Sequence, residues 1–294
     1  MCGIAGAFRA DGGRALQGPA IESMGARITH RGPDAHGVWE SDSGDVALIH
    51  RRLSVIDLST GGQPMRDASG RFTLVFNGEI YNYKSLRRAL EAEGHSFRTT
   101  SDTEVLLRHL SIRGPGGVRD LRGMFAFALW DASERRLLLA RDPVGKKPLY
   151  FRHAQGSFSF ASTLGALEEI LPARPEVDRS AVDSFLRLGY IPAPATIFEG
   201  IHKLPASAML VVDADGARME PYWSFQEDLS PFTGPYADAL DHLDGLLREA
   251  VSLRLQSDVP LGVFLSGGID SSLITALASE ASDEEVNTFS IAFD

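Results

Sequence analysis

The chain has 294 residues, enough for one large or two ordinary domains, and its 44% hydrophobic and 23% charged residues suit packed cores. A net charge of −10 without a block of lysine or arginine argues against a nucleic-acid or anionic-membrane surface. One cysteine excludes an intramolecular disulfide and a cysteine-based zinc site; no apolar run approaches the ~20 residues of a membrane span and the N-terminus is no signal peptide, so a cytoplasmic setting is expected.

The sole cysteine is Cys2. Removal of Met1 would leave it with a thiol and a free α-amine on one Cα. The thiolate is the nucleophile, and the free thiol pKa is about 8.5. An α-amine near pKa 8 is roughly matched to take that proton. Nucleophile and base then come from one residue. The plain alternative is a small buried hydrophobe.

Residues 3–8 (GIAGAF) read as a buried strand leading away from Cys2, and residues 19–29 as a short helix carrying Ile21, Met24 and Ile28. His30-Arg31-Gly32-Pro33-Asp34 is a turn by its Gly-Pro-Asp chemistry. A strand at Val46–His50 runs into Arg52, Leu53, Ser54, Val55 and Ile56. Arginine in such an apolar stretch needs an acidic partner, either a substrate carboxylate or a structural Asp or Glu.

Residues 72–76 (FTLVF) form a strand that reaches Asn77-Gly78-Glu79. Asn-Gly at a strand end suits a tight turn. It equally suits an oxyanion hole, with the Asn77 amide and the Gly78 N–H donating to one oxygen. A helix is expected over Tyr83–Glu93, stopped by Gly94. Ser101 and Glu104 have capping-box spacing and place Asp102 at the start of the helix Val105–Leu110, where it could bind an amine. Strands follow at 124–130, 135–140 and 157–161, with a polar turn at 141–151 leading into another. This half is α+β, largely antiparallel, with two layers of sheet.

Proline recurs from Pro172 to Pro231, and a boundary is expected there, near 205–220. Residues 236–256 have the strongest helical periodicity. The run Val259–Leu265 reads as a strand buried on both faces, then Ser266-Gly267-Gly268-Ile269-Asp270-Ser271-Ser272, a helix at Leu273–Ala281 and a second buried strand at Val286–Phe293. Strand, glycine turn and helix N-terminus together make an anion site. The turn lacks the Gly-Lys-Ser/Thr ending of a kinase-type loop, so it suits pyrophosphate as a leaving group. One βαβ unit cannot cover both faces of a parallel sheet, so a longer protein is expected.

With these residues assembled, the chain resembles glutamine-hydrolysing asparagine synthetases of the bacterial type. The matching stretches are MCGI, HRGPD, RLSVID, FNGEIYN, SDTEV, MFAFALWD, ARDPVGKKPLY, YIPAPATIFEGIHKLP and SDVPLGVFLSGGIDSS. The resemblance implies a layered αββα N-terminal-nucleophile hydrolase domain over 1–210 with its linker. The start of a Rossmann-like α/β ATP-pyrophosphatase domain would fill 211–294. It implies Cys2 as nucleophile, Asn77 and Gly78 as oxyanion donors, and Arg52 on the glutamine α-carboxylate. Glu79 and Asp102 would hold the α-amine, with Leu53, Ser54, Val55 and Ile56 completing the glutamine site. ATP with Mg2+ would be held by Ser266, Gly267, Gly268, Ile269, Asp270, Ser271 and Ser272, with Leu265 and Ile291 on the adenine side. Aspartate would be adenylated and ammonia would displace AMP. A homodimer, the metal ligands and the acceptor itself stay open. So do a paralogous amidotransferase for another carboxylate and a non-synthetic binding fragment. Thr163 and Gly165 stand where many members have glutamate and lysine, and Ala292 where glycine is usual.

Overall fold

The computed structural model describes residues 1–154, 156–226 and 229–292. Two compact units separate. Met1–Ser54 with Ser59–Ser224 form the first, and Val55–Leu58 with Phe225–Asp294 the second.

The first unit runs β1 (Gly3–Arg9), α1 (Gly18–Arg27), β2 (Ala35–Glu40), β3 (Val46–Arg52), β4 (Met65–Arg66) and β5 (Phe72–Ile80). It continues with α2 (Tyr83–Ala92), α3 (Asp102–Arg113), β6 (Gly123–Asp131), β7 (Arg136–Arg141), β8 (Tyr150–Ala154) and β9 (Ser157–Ala161). α4 (Leu164–Glu168), α5 (Arg179–Leu188), β10 (His202–Lys203), β11 (Ala208–Asp213) and β12 (Gly216–Pro221) complete it. The strands form two six-stranded sheets, ordered β10-β8-β9-β1-β3-β2 and β12-β11-β7-β6-β5-β4. Every pairing in both is antiparallel.

Period-two alternation builds the layers. Ile4 and Phe8 of β1 meet Val75, Ala128 and Trp130 of the other sheet in the central core. Ala5 and Ala7 face the opposite way, toward Ile21 and Met24 of α1. On the second sheet Leu74, Phe76, Phe125 and Phe127 point outward onto Leu106, Leu107 and Leu110 of α3. The result is the expected αββα stack.

Three local readings change. Asn77-Gly78 is not a turn: β5 continues through it to Ile80, in register with β6 from Phe72↔Asp131 to Ile80↔Gly123. Gly78 allows this because a Cβ there would lie 2.1 Å from the Met124 carbonyl oxygen. The capping box is half formed. Ser101 Oγ accepts from Thr103 N (3.1 Å), but the Glu104 carboxylate accepts from Thr99 N (2.6 Å) and Arg98 N (3.0 Å), donors in the preceding loop, rather than from Ser101. The expected boundary at 210/211 falls within β11, which pairs with β7 of the first unit; the units divide after Ser224.

The second unit holds α6 (Tyr236–Arg254), β13 (Gly262–Phe264), α7 (Ile269–Ala281) and β14 (Asn287–Phe289). β13 and β14 pair in parallel, as a βαβ unit requires. Val251, Leu277 and Ala278 form its buried core, with Val263 and Ile274 packed on them. Both strands are shorter than the sequence suggests and are not buried on both faces. Phe264 is 82% exposed, because the helices cover only the Val263 side. Of the expected strand Val286–Phe293, Phe293 lies outside the described residues. Among the described residues, no helix is long and apolar enough to cross a membrane.

Candidate active site

Cys2 precedes β1, half-buried. The pairing Gly3↔Arg51 sets it beside the end of β3. Its Sγ receives the Leu53 N–H (3.4 Å) and lies 3.6 Å from the Leu53 carbonyl oxygen. Arg31 Nε donates to the Cys2 carbonyl oxygen (3.0 Å), and Ser54 N donates to Asp34 Oδ2 (2.8 Å). The HRGPD turn thus brackets Cys2, a placement its turn chemistry does not announce.

The two sheets are bridged at this end. His50, opposite Ile4 of β1, donates from Nε2 to the Phe76 carbonyl oxygen (3.1 Å). Burial holds His50 at about pKa 4, so the ring is neutral with its proton on Nε2. Asn77 follows directly. It is fully buried, and neither Nδ2 nor Oδ1 has a hydrogen-bond partner among the described residues. A buried amide left unpaired costs roughly 1–3 kcal/mol. Such a group belongs where a ligand supplies the missing partner.

Beyond Gly78 come two acids. Glu79 is half-buried, and burial raises its pKa. Asp102, at the first turn of α3, accepts from Ile80 N (3.0 Å). Burial, with the nearby Glu79 charge, pushes Asp102 up to about 6. Arg52 is buried at the end of β3, and its charge acts on Cys2 and His50. Burial raises the Cys2 thiol, while the Leu53 hydrogen bond, the chain's α-amine, Arg52 and Lys147 oppose it. The Met1 α-amine, which is the terminus in this structure, is lowered by burial.

The structure therefore gathers Cys2, Arg52, Leu53, Asn77, Gly78, Glu79 and Asp102 at one end of the stacked sheets. Val55 and Ile56 are grouped instead with the second unit, where Asp258 N donates to the Val55 carbonyl oxygen (3.0 Å). Lys147 is an addition. Sequence reading treats it as part of a polar turn, yet it is buried and its charge acts on Cys2 and Glu79.

In the second unit Ser266–Ser272 link β13 to α7. Gly267 takes φ +78°, a conformation glycine adopts freely. Ser266 Oγ and Ser271 Oγ lie 3.0 Å apart, and Ser271 Oγ donates to the Gly268 carbonyl oxygen (3.1 Å). Gly268 is the N-cap of α7 and supplies no side-chain cap. The first N–H groups of the helix and the hydroxyls thus remain exposed, which fits phosphate oxygens. Leu265 N donates to the Phe289 carbonyl oxygen (2.9 Å), and Ser290 Oγ to the Leu265 carbonyl oxygen (2.5 Å), so the Leu265 and Ile291 segments run side by side. Asp270 is the acid of the first turn; among the described residues no three His, Cys, Asp or Glu side chains gather as a metal site.

A family model for glutamine amidotransferase domains matches residues 1–223, and one for asparagine synthase matches residues 242–294. The whole chain is 36% identical to glutamine-hydrolysing asparagine synthetase 1 of Bacillus subtilis and spans 46% of it. Over 95% of its length it is 35% identical to amidase chry2 of Gibberella zeae, of which it spans 43%. The chain thus covers less than half of either relative. In fold it is similar to the glutamine phosphoribosylpyrophosphate amidotransferase of Bacillus subtilis, with a TM-score of 0.52 at 19% identity over 98% of this chain and 65% of that one. The family match across the whole stacked unit shows that the chain belongs to the glutamine amidotransferase domain family, with the asparagine synthase model matching across the βαβ unit.

Proposed function

We propose that this chain supplies the glutaminase half, and part of the ATP site, of an ATP-dependent amide synthetase. The reading rests chiefly on Asn77, whose buried and unpartnered amide lies beside the Gly78 N–H at the Cys2 end of the stack. Removal of Met1, which is 56% exposed, frees the Cys2 α-amine. The amine takes the Sγ proton and the thiolate attacks the side-chain amide carbon of glutamine. Negative charge on the amide oxygen is held by Asn77 Nδ2 and Gly78 N. The α-ammonium passes its proton to the leaving nitrogen, ammonia departs, and water releases glutamate from the thioester. Arg52 holds the substrate α-carboxylate, and Glu79 with Asp102 its α-ammonium. Leu53 and Ser54 line the nucleophile.

ATP would be held at its phosphates by Ser266–Ser272, with Leu265 and Ile291 toward the base and Mg2+ as the nucleotide's counter-ion. ATP's chemistry would be to convert an acceptor carboxylate, unreactive toward ammonia in water, into an acyl adenylate with release of pyrophosphate, from which ammonia displaces AMP. Aspartate is the acceptor we favour, from the named relatives. The fungal relative, 35% identical over 95% of this chain and named an amidase, keeps a different acceptor in play as a second reading. Supplying purified protein with glutamine and aspartate and measuring glutamate release tests the first half-reaction. Release should fall at least a thousandfold in Cys2→Ala. Release that survives that substitution would refute the reading.

A further inference from the structure

Lys147 is only 4% exposed, yet among the described residues its ammonium has no hydrogen-bond or ion-pair partner. The ammonium keeps some contact with solvent, and the acid that faces it is Glu79. The backbone that carries it is tightly fixed. Asp142, fully buried, accepts from the N–H groups of Lys147 (2.9 Å), Lys146 (2.8 Å) and Phe125 (3.2 Å), and Arg141 Nε donates to the Lys147 carbonyl oxygen (2.7 Å). Phe125 is the register partner of Gly78. The lysine segment is thus hung from the strand position that faces the oxyanion donor. A flexible surface turn would not be built this way.

The charged groups around Cys2 come from four elements. They are the α-amine at the chain start, Arg31 and Asp34 from the HRGPD turn, Arg52 from β3, and Lys146 and Lys147 from the segment before β8. Glu79 on β5 faces Lys147. Arg31 is engaged with the Cys2 carbonyl oxygen. Lys147 is fixed by its backbone, and its charge acts on both Glu79 and Cys2. The negative charges that arise near it are the Cys2 thiolate and, during turnover, the oxyanion.

We propose that Lys147 is a positioning residue for glutamine hydrolysis, a cation held at the Cys2 end of the stack that favours the Cys2 thiolate and keeps Glu79 ionised. The proton that leaves Sγ goes to the α-amine; Lys147 donates none. This inference rests on the glutaminase reading for its role but not for its test. Cys2 is the sole cysteine, so alkylation by iodoacetamide reports its thiolate alone and needs no turnover.

The experiment follows the pH dependence of Cys2 alkylation in the Met1-processed chain, in wild type, Lys147→Met and Lys147→Arg. The midpoint should rise by about one pH unit in Lys147→Met and return in Lys147→Arg, with a matching shift in the kcat/KM profile for glutamine. An unchanged midpoint in folded Lys147→Met, or an Arg variant that behaves like Met, overturns the proposal. If the Met variant does not fold, Lys147→Gln carries the same comparison. Wild type that alkylates normally but releases no glutamate would instead refute the glutaminase reading.

Discussion

Asp102 shows what single residues concede to the site. It is buried, receives the Ile80 N–H, and is held near pKa 6 by burial and the Glu79 charge. Its folded pKa thus lies above an unfolded value of about 3.9. The native state then binds the proton more tightly, so the contribution of Asp102 to stability declines as pH rises from about 4 through about 6. Asp102→Asn keeps an acceptor for Ile80 N and removes the charge. Melting curves should show a higher Tm than wild type at pH 8 and little difference at pH 4. The same variant should raise KM for glutamine about 10- to 100-fold at pH 8, the loss of one charge-assisted contact. In wild type, KM should climb as pH falls below about 6. No stabilisation at pH 8 would mean that Asp102 is not the strained anion described. Cys2 and Asp102 were legible in the sequence because each sits where an element begins, and Asn77 because Asn-Gly after an apolar strand carries donors suited to an oxyanion. Lys147 and His50 were not, since a lysine in a polar loop and a histidine in a strand look ordinary until packing shows one facing Glu79 and Cys2 and the other bridging two sheets.

At the scale of elements, the site depends on β5 not ending where its sequence suggests. Asn-Gly favours a hairpin turn. Pairing with β6 overrides that preference and carries Asn77 through Ile80 to the Cys2 end of the stack. The override requires glycine, since a Cβ at 78 would also sit 2.7 Å from Phe125 Cα. Gly78→Ala should therefore destabilise the fold by about 2–3 kcal/mol, as backbone displacement in a core strand does. Urea unfolding would measure it, and an unaltered midpoint would contradict the close approach. Alternating strands such as β1, β3 and β6 could be read directly. β2 could not, because Ala35–Glu40 lies on a sheet edge with partly exposed faces. α5 carried usable signals, the Asp178 cap on Ser180 N and Ala181 N and the left-handed Gly189, but they lay inside a proline-rich stretch taken for a boundary. The parallel strands β13 and β14 were placed correctly and overextended, because the apolar run describes what a complete sheet would bury.

For the molecule as a whole, the two units differ in how much they hold together. The first has three continuous cores that sandwich two sheets between helices. The second buries three side chains around α6 and α7 and leaves Phe264, Ile269 and Ile291 exposed. The two antiparallel sheet layers of the first unit followed from strand spacing, and the helices outside them from the resemblance. Its limit at Ser224 did not, because the β11–β12 hairpin returns to the second sheet after the proline-rich segment. The first unit therefore contains every residue assigned to nucleophilic attack. The central claim is that Cys2, once N-terminal, is its own nucleophile and base. Its most direct test is intact-mass analysis after exposure to the diazo-ketone analogue of glutamine, with processed protein compared with protein that retains Met1. The account predicts one adduct per chain, on Cys2, only in the processed form. No adduct in folded, processed protein, or equal labelling with Met1 in place, would contradict it.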